Sequence, residues 1–302
     1  MDSINALTLV YMIIDVVSHF AVPAFIFISG FVLYNKYNSN FDLKQFYLNR
    51  YKTIIPPYLI FSTFYIVVKL PVAKMLHRTI DMDILHMYLT GNALYHMWFF
   101  MLIIQLYILY PLILKIYNYS NNKSLALSFI LSVLLSEYEV TSYLFYFVLG
   151  MYLNTHYKNL SMHQKYIAIP IFLTGTIIKI YECMDMYFSY GLLMHIPQYI
   201  INTVTVVYFT IIFLVLLEIS NLLSNSKKLN SIDNLGSYSF AIYLIHALFI
   251  YIFAIIFSKS GFDYNNILFY PVMFILTLGF SMISINIIQR MPGSIYVIGK
   301  IH

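Results

Sequence analysis

Ser237-Tyr-Ser-Phe-Ala-Ile-Tyr-Leu-Ile-His246-Ala-Leu-Phe-Ile-Tyr-Ile-Phe-Ala-Ile-Ile-Phe257 decides the fold of this chain. Its twenty-one residues contain no Lys, Arg, Asp or Glu. As a helix they reach about 31 Å, enough to cross a hydrocarbon core about 30 Å thick. Eight further stretches qualify or nearly do: Val16 to Tyr34, Ile54 to Leu70, Met97 to Tyr117, Leu125 to Ser136, Ser142 to Asn154, Tyr166 to Tyr181, Ile200 to Leu222 and Ile267 to Ile288. The fourth and fifth in chain order are short. They sit nearly upright, thin the bilayer, or form a hairpin that does not cross fully, which would leave the sidedness of everything after it unchanged.

The composition agrees. Of 302 residues 61% are hydrophobic and 10% charged, with mean hydropathy +0.78, against roughly 25% charged in a typical soluble domain. The apolar runs recur from end to end with no polar domain between them, so the sequence predicts one all-α, polytopic transmembrane domain over residues 1–302, solvated by membrane lipid. The single cysteine, Cys183, excludes an intramolecular disulfide and a cysteine-based metal site, and reads as a packing residue. The formal charge of +5 does not point to nucleic acid, because the basic residues fall one or two per loop rather than on one face. The N-terminus lacks the basic region and cleavage pattern of a secretory signal.

Sidedness follows from Lys and Arg, which concentrate in cytoplasmic loops. With the first stretch running inward, one side collects Lys36, Lys44, Arg50, Lys52, Lys115, Lys123, Lys158, Lys165, Lys227, Lys228, Arg290 and Lys300, twelve of the seventeen basic residues. The other keeps Lys69, Lys74, Arg78, Lys179 and Lys259, together with Asp2, Asp81, Asp83, Glu137, Glu139, Glu182, Asp185 and Asp263. This predicts a plasma-membrane protein with a cytoplasmic C-terminus. Nine spans then put Met1 outside with no basic residue to orient it. A tenth helix before Met1 in the natural protein resolves this, with both ends cytoplasmic; a truly N-out protein is the alternative.

Several residues are candidates for chemistry. His246 stands about ten residues into its span, about 15 Å deep, where an ionisable group faces protein or a water-filled cavity. The alternative is a neutral His bonded to a neighbour such as Tyr243. His96, Trp98 and Phe99 sit where the longest outer loop, Pro71 to His96, meets the third span. They read either as an aromatic belt or as the wall of an outward-facing pocket, where His shuttles protons and Trp stacks on a sugar ring. Within that loop Ile80 to Leu89 suits an interfacial helix. Arg50 and Lys52 precede Pro56-Pro57-Tyr58, either as a positive-inside anchor or as a phosphate site assisted by free helix N–H groups. Pro23 and Gly30 in the first span imply a kink or close helix approach, and Ser29 can re-satisfy freed backbone groups. Asp15 and His19, four apart, pair or are simply solvated, and Glu218 snorkels to the interface. No phosphate-binding Gly loop, His-x-x-x-His pair or Gly-x-Ser-x-Gly elbow is present.

Four segments, in order, resemble the acyltransferase-3 family of integral membrane proteins. Val22-Pro23-Ala24-Phe25-Ile26-Phe27-Ile28-Ser29-Gly30-Phe31 is similar to its Phe-Phe-x-x-Ser-Gly segment, and Phe46 to Tyr58, with Arg50, to its Arg-containing approach to the third helix. His96-Met97-Trp98-Phe99-Phe100 resembles His-x-Trp-Phe, and Ser237 to His246 resembles Ser-Tyr-x-x-x-Tyr-Leu-x-His. Arg50 to Tyr58, Gly91 to Pro111 and Phe145 to Tyr152 look nearest to poly-N-acetylglucosamine (intercellular adhesin) export proteins. Two features depart from the pattern. The family's Arg-x10-His helix, whose His is its expected catalytic base, would lie before Met1, and a frequent second Arg is Thr53 here.

The resemblance implies about nine spans here and ten in full-length members. It implies transfer of an acetyl or succinyl group from cytoplasmic acyl-CoA to a hydroxyl of a cell-surface polysaccharide, with no bound cofactor. Arg50 would hold the donor phosphates. Ser29 and His246 would line a central cavity, and His96 with Trp98 would face the glycan. The rival reading is a polysaccharide exporter or glycan-synthase partner without covalent chemistry, disfavoured by the absence of a visible inverted repeat. A structural membrane scaffold is a third.

Overall fold

A computed structural model of the chain describes residues 6–75, 83–157, 162–188, 191, 193, 195–224, 230–262 and 266–300. Its regular elements there are twelve α-helices: α1 (Ala6–Ser18), α2 (Ala21–Tyr37), α3 (Leu43–Met75), α4 (Ile84–Thr90), α5 (Trp98–Tyr119), α6 (Asn121–Leu134), α7 (Glu139–His156), α8 (Met162–Phe188), α9 (Gln198–Ser224), α10 (Asn230–Ser260), α11 (Phe269–Ile288) and α12 (Ile295–Ile298).

Six runs among the described residues are long and apolar enough to cross a membrane: Val10–Tyr37, Leu43–Lys69, Trp98–Tyr119, Gln198–Leu223, Gly236–Ser260 and Phe269–Ile288. The expected count of nine is not confirmed among the described residues. The other three stretches correspond to α6, α7 and α8. At fourteen residues α6 is only about 21 Å long, short of the roughly 30 Å core. The Ser132 hydroxyl donates to the Thr141 carbonyl at 2.6 Å and accepts from the Phe145 N–H at 3.1 Å, tying α6 to α7 as a hairpin. In α8 the side chains of residues 162–169, 171 and 172 lie outside those described, so Tyr166 to Tyr181 is only partly described. The first stretch also differs from expectation, since a short turn at His19–Phe20 divides it into α1 and α2. Pro23 stands in the first turn of α2, where its missing N–H costs no hydrogen bond.

Some of the charges used for sidedness lie outside the described residues or side chains: Asp2, Lys74, Arg78, Asp81, Lys158, Lys165, Lys227, Lys228 and Asp263. The first three residues of the expected interfacial helix do too. Its remainder is α4, begun by the Asp83 carboxylate accepting from the His86 N–H and ended by Gly91 at φ +75°.

The chain forms two compact units, neither contiguous in sequence: residues 1–41 with 105–225, and residues 42–104 with 226–302. In the first, α2 crosses α7 at two glycines. A Cβ on Gly30 would stand 2.0 Å from the Phe147 carbonyl oxygen, and one on Gly150 would stand 2.1 Å from that of Phe27. Both backbones therefore touch, which only hydrogen in place of Cβ permits. Asn154 Nδ2 donates to the Phe31 carbonyl beside the crossing, and the Phe27 ring stacks on Phe213 of α9 at 4.8 Å. Asn202 of α9 donates to the Val133 carbonyl and the Ser136 hydroxyl, at 3.0 and 2.8 Å, satisfying the open end of α6. Cys183 is buried against Met12 and Val16, as a packing residue should be, and Asp15 and His19 lie 3.6 Å apart on a half-exposed face. Glu218 accepts a hydrogen bond from the Tyr157 hydroxyl.

Gly30→Ala and Gly150→Ala should each cost about 1–3 kcal/mol, the usual range for overpacking. Gly279→Ala meets nothing within 4 Å and should be neutral or stabilising by up to about 1 kcal/mol through helix propensity. Thermal unfolding of the three variants in detergent micelles checks the contrast.

Candidate functional site

The second unit gathers the aromatic and imidazole side chains that the sequence singled out. On α3, Tyr58, Phe61 and Tyr65 recur at intervals of three and four and are all buried. On α10, Tyr243 and His246 are three apart on one face. Between α4 and α5 the chain turns inward. Gly91 makes this possible: a Cβ there would stand 2.6 Å from Trp98 Cα, and its positive φ suits glycine. The turn buries Ala93, His96 and Met97 and leaves Trp98 half-buried at the start of α5.

His96 is 5% exposed and sits in a cage of rings. Its centroid lies 5.1 Å from His246, 5.3 Å from Tyr95, and 5.4 Å from both Tyr65 and Tyr243. The surrounding tyrosines hold the backbone rather than the imidazoles. Tyr243 donates its hydroxyl to the His96 carbonyl, and Tyr65 donates to the Leu244 carbonyl at 2.6 Å. Tyr58 donates to the Tyr88 carbonyl, and the Tyr88 hydroxyl meets Thr63, both at 2.6 Å, so α4 is fixed to α3.

The two imidazoles are in different states of satisfaction. His246 Nδ1 faces the carbonyls of Tyr243 at 2.8 Å and Ile242 at 3.2 Å. Carbonyl oxygens only accept, so Nδ1 carries the proton and the neutral ring keeps its lone pair on Nε2. Both ring nitrogens of His96 are buried without a hydrogen-bond partner among the described residues. A buried polar group left in that condition is costly, and needs either a ligand or a functional reason.

Arg50 belongs to the same unit but to another level, fifteen residues and about 22 Å back along α3 from Tyr65. Its guanidinium lies 5.8 Å over the ring of Phe46, which is fully buried, a cation–π contact that orients the fork. Ser29 lies in the first unit, its Oγ 3.5 Å from the Tyr107 hydroxyl. The structure thus joins His96 to His246 at one place, although the sequence assigned them to the glycan side and the central cavity. The inward turn after Gly91 accounts for the difference. Tyr65 and Tyr95 had escaped sequence reasoning; the Tyr58-Phe61-Tyr65 stripe was the signal that could have found the first of them.

These features define a multi-pass membrane protein with two histidines, one buried and one half-buried, packed together in one helical unit. Residues 2–285 match the family model described as an acyltransferase domain, that of acyltransferase-3, and the chain belongs to this family. Comparison with curated proteins and with solved structures returned no match.

Tyr65→Phe and Tyr243→Phe keep the ring cage and remove one interhelical hydrogen bond each. Each should lower stability by about 0.5–1.5 kcal/mol, measured by thermal unfolding of the purified protein.

Proposed function

We propose that this protein transfers an acyl group, acetyl or succinyl, from cytoplasmic acyl-CoA to a hydroxyl of a surface polysaccharide of the poly-N-acetylglucosamine kind, in the plasma membrane and with its C-terminus cytoplasmic. Family membership supports acyl transfer by a membrane protein in general terms. The observation that carries the finer reading is the His96–His246 pair, a buried and a half-buried imidazole 5.1 Å apart, with Arg50 at a separate level of the same unit.

In this reading Arg50 binds the donor phosphates through its oriented fork. The extended pantetheine arm then spans the distance to the histidines. As the sugar hydroxyl oxygen attacks the thioester carbonyl, the new C–O bond forms and the C–S bond breaks. His246 Nε2 takes the hydroxyl proton and returns it to the departing thiolate, releasing CoA thiol. His96 offers a hydrogen bond from its otherwise unpartnered ring to the reacting groups, and Trp98 supplies a face for the sugar.

The test is transfer of radiolabelled acetyl from acetyl-CoA to extracted polysaccharide by the protein in liposomes. His246→Gln should lower kcat by about 10²–10³-fold, within the span of general-base effects. Arg50→Gln should raise the donor KM about tenfold, as expected for losing a charged hydrogen bond of roughly 1.5 kcal/mol. Unchanged glycan ester content in a null strain, with glycan trapped inside the cell, would overturn the enzyme and support export.

A further inference from the structure

Beyond the histidine pair, the second unit buries three more hydroxyls with no hydrogen-bond partner among the described residues: Ser62 on α3, and two on one face of α11. Thr277 is 7% exposed and Ser281 is fully buried. They share the inward stripe of α11 with Met273 and Ile285. A serine or threonine in a membrane helix ordinarily bonds a carbonyl one turn back, as Thr63, Thr203, Thr205 and Thr210 do in this chain. Thr277 and Ser281 do not, and each hydroxyl is held ready for another partner.

Their level follows from ring contacts. The Phe280 ring lies 5.6 Å from Phe249 and 5.3 Å from Phe253, and Phe269 lies 5.8 Å from Phe257. Helices α10 and α11 therefore run antiparallel, with residues near 250 opposite residue 280. Ser281 then falls within about one turn, roughly 5 Å, of the level of His246, and Thr277 one turn further on. The opposite direction leads to Arg50. A Cβ on Gly299 would touch Phe240 at 2.7 Å and lie 3.7 Å from the Thr53 carbonyl, so the Arg50 end of α3 is level with the start of the apolar run of α10. Along this unit the order is Arg50, the histidine pair, Ser281, Thr277.

We infer that Ser281 and Thr277 form, with His96, a subsite for the hydroxyls of the sugar acceptor. Neutral hydroxyls that both donate and accept match a polyol, whereas the phosphates of the donor call for the cation at the other end. The subsite lies on the side of the histidines away from Arg50, where an acceptor entering opposite the donor would arrive. The identity of the ligand rests on the acyl-transfer reading above. The buried, unpartnered hydroxyls stand on their own geometry.

The experiment uses the full chain in nanodiscs, an N-acetylglucosamine oligosaccharide as probe, and two near-isosteric variants, Ser281→Ala and Thr277→Val. The oligosaccharide should raise the Tm of the wild type, and each variant should weaken its binding about fivefold to tenfold, as loss of one hydrogen bond does. Without ligand both variants should have a higher Tm than the wild type, because each loses a buried polar group that has no partner. A lowered Tm means the hydroxyls serve packing and overturns the inference. So does a wild type that fails to bind the probe, or variants that bind it as well as the wild type. Acetyl transfer from acetyl-CoA is measured alongside. Binding that depends on both hydroxyls without any transfer upholds the subsite and overturns the acyltransferase reading. Transfer with acceptor KM unchanged in both variants does the reverse.

Discussion

Hydrocarbon offers no hydrogen bonds, so each polar group carried into the membrane must find its partner within the protein. Where this chain buries a side-chain polar group, the partner is commonly a backbone carbonyl of another helix. Tyr65 reaches Leu244, Tyr58 reaches Tyr88, Asn202 reaches Val133 and Asn154 reaches Phe31. Each such bond ties two helices together and satisfies a donor at once. Because lipid tails are as apolar as leucine, helices here gain little from hiding apolar surface from one another. Directed bonds and close packing do that work instead. Against this background the two nitrogens of His96 and the hydroxyls of Thr277 and Ser281 acquire meaning, because an unpaired buried donor in such surroundings has not been optimised for folding alone.

Close packing follows the same logic. The α2–α7 crossing rests on Gly30 and Gly150, each lying against the carbonyl oxygen three residues before the other, Phe147 and Phe27. Gly30 within an apolar run offers two readings in the sequence, a kink or a close helix approach, and the structure shows the second. Its partner is not announced, because nothing in Phe145-Tyr-Phe-Val-Leu-Gly150 says which helix it meets. Pairing is a property of two distant segments and of the connections between them, whereas the need for pairing is local.

The same division separates what was legible in the sequence from what was not. The run from Ser237 to Phe257 could be read as a span because length and hydropathy are one-dimensional, and it lies inside Gly236–Ser260 of the folded chain. The limits of Leu125 to Ser136 as a span were also visible in its length, and the Ser132 bonds show it turning back on α7. The Arg50–Phe46 contact obeys simple helical spacing. The His96–His246 pair does not. It depends on a seven-residue inward turn whose conformation hangs on Gly91 at positive φ, and sidedness rules place a loop outside without saying that it folds back in. The break between α1 and α2 was hidden because Ser18 to Ala21 contains neither Gly nor Pro to mark a turn.

The departure at Thr53 can be understood in these terms. Where the family often carries a second arginine, this chain has a hydroxyl that bonds the Asn49 carbonyl at 2.8 Å, and a backbone carbonyl facing Gly299. Helix α12 packs on α3 next to it, and Gly299, at φ +76°, turns the chain so that Phe240 and Thr53 can both be approached without a side chain in the way. A long cationic side chain at residue 53 would have to leave that packed corner. Arg50 instead has its guanidinium carbon 5.8 Å from the centre of the buried Phe46 ring. A guanidinium held by a neighbouring ring has less freedom left to lose on pairing than a mobile one, so one arginine on Phe46 and a hydroxyl at residue 53 are an economical packing of this corner.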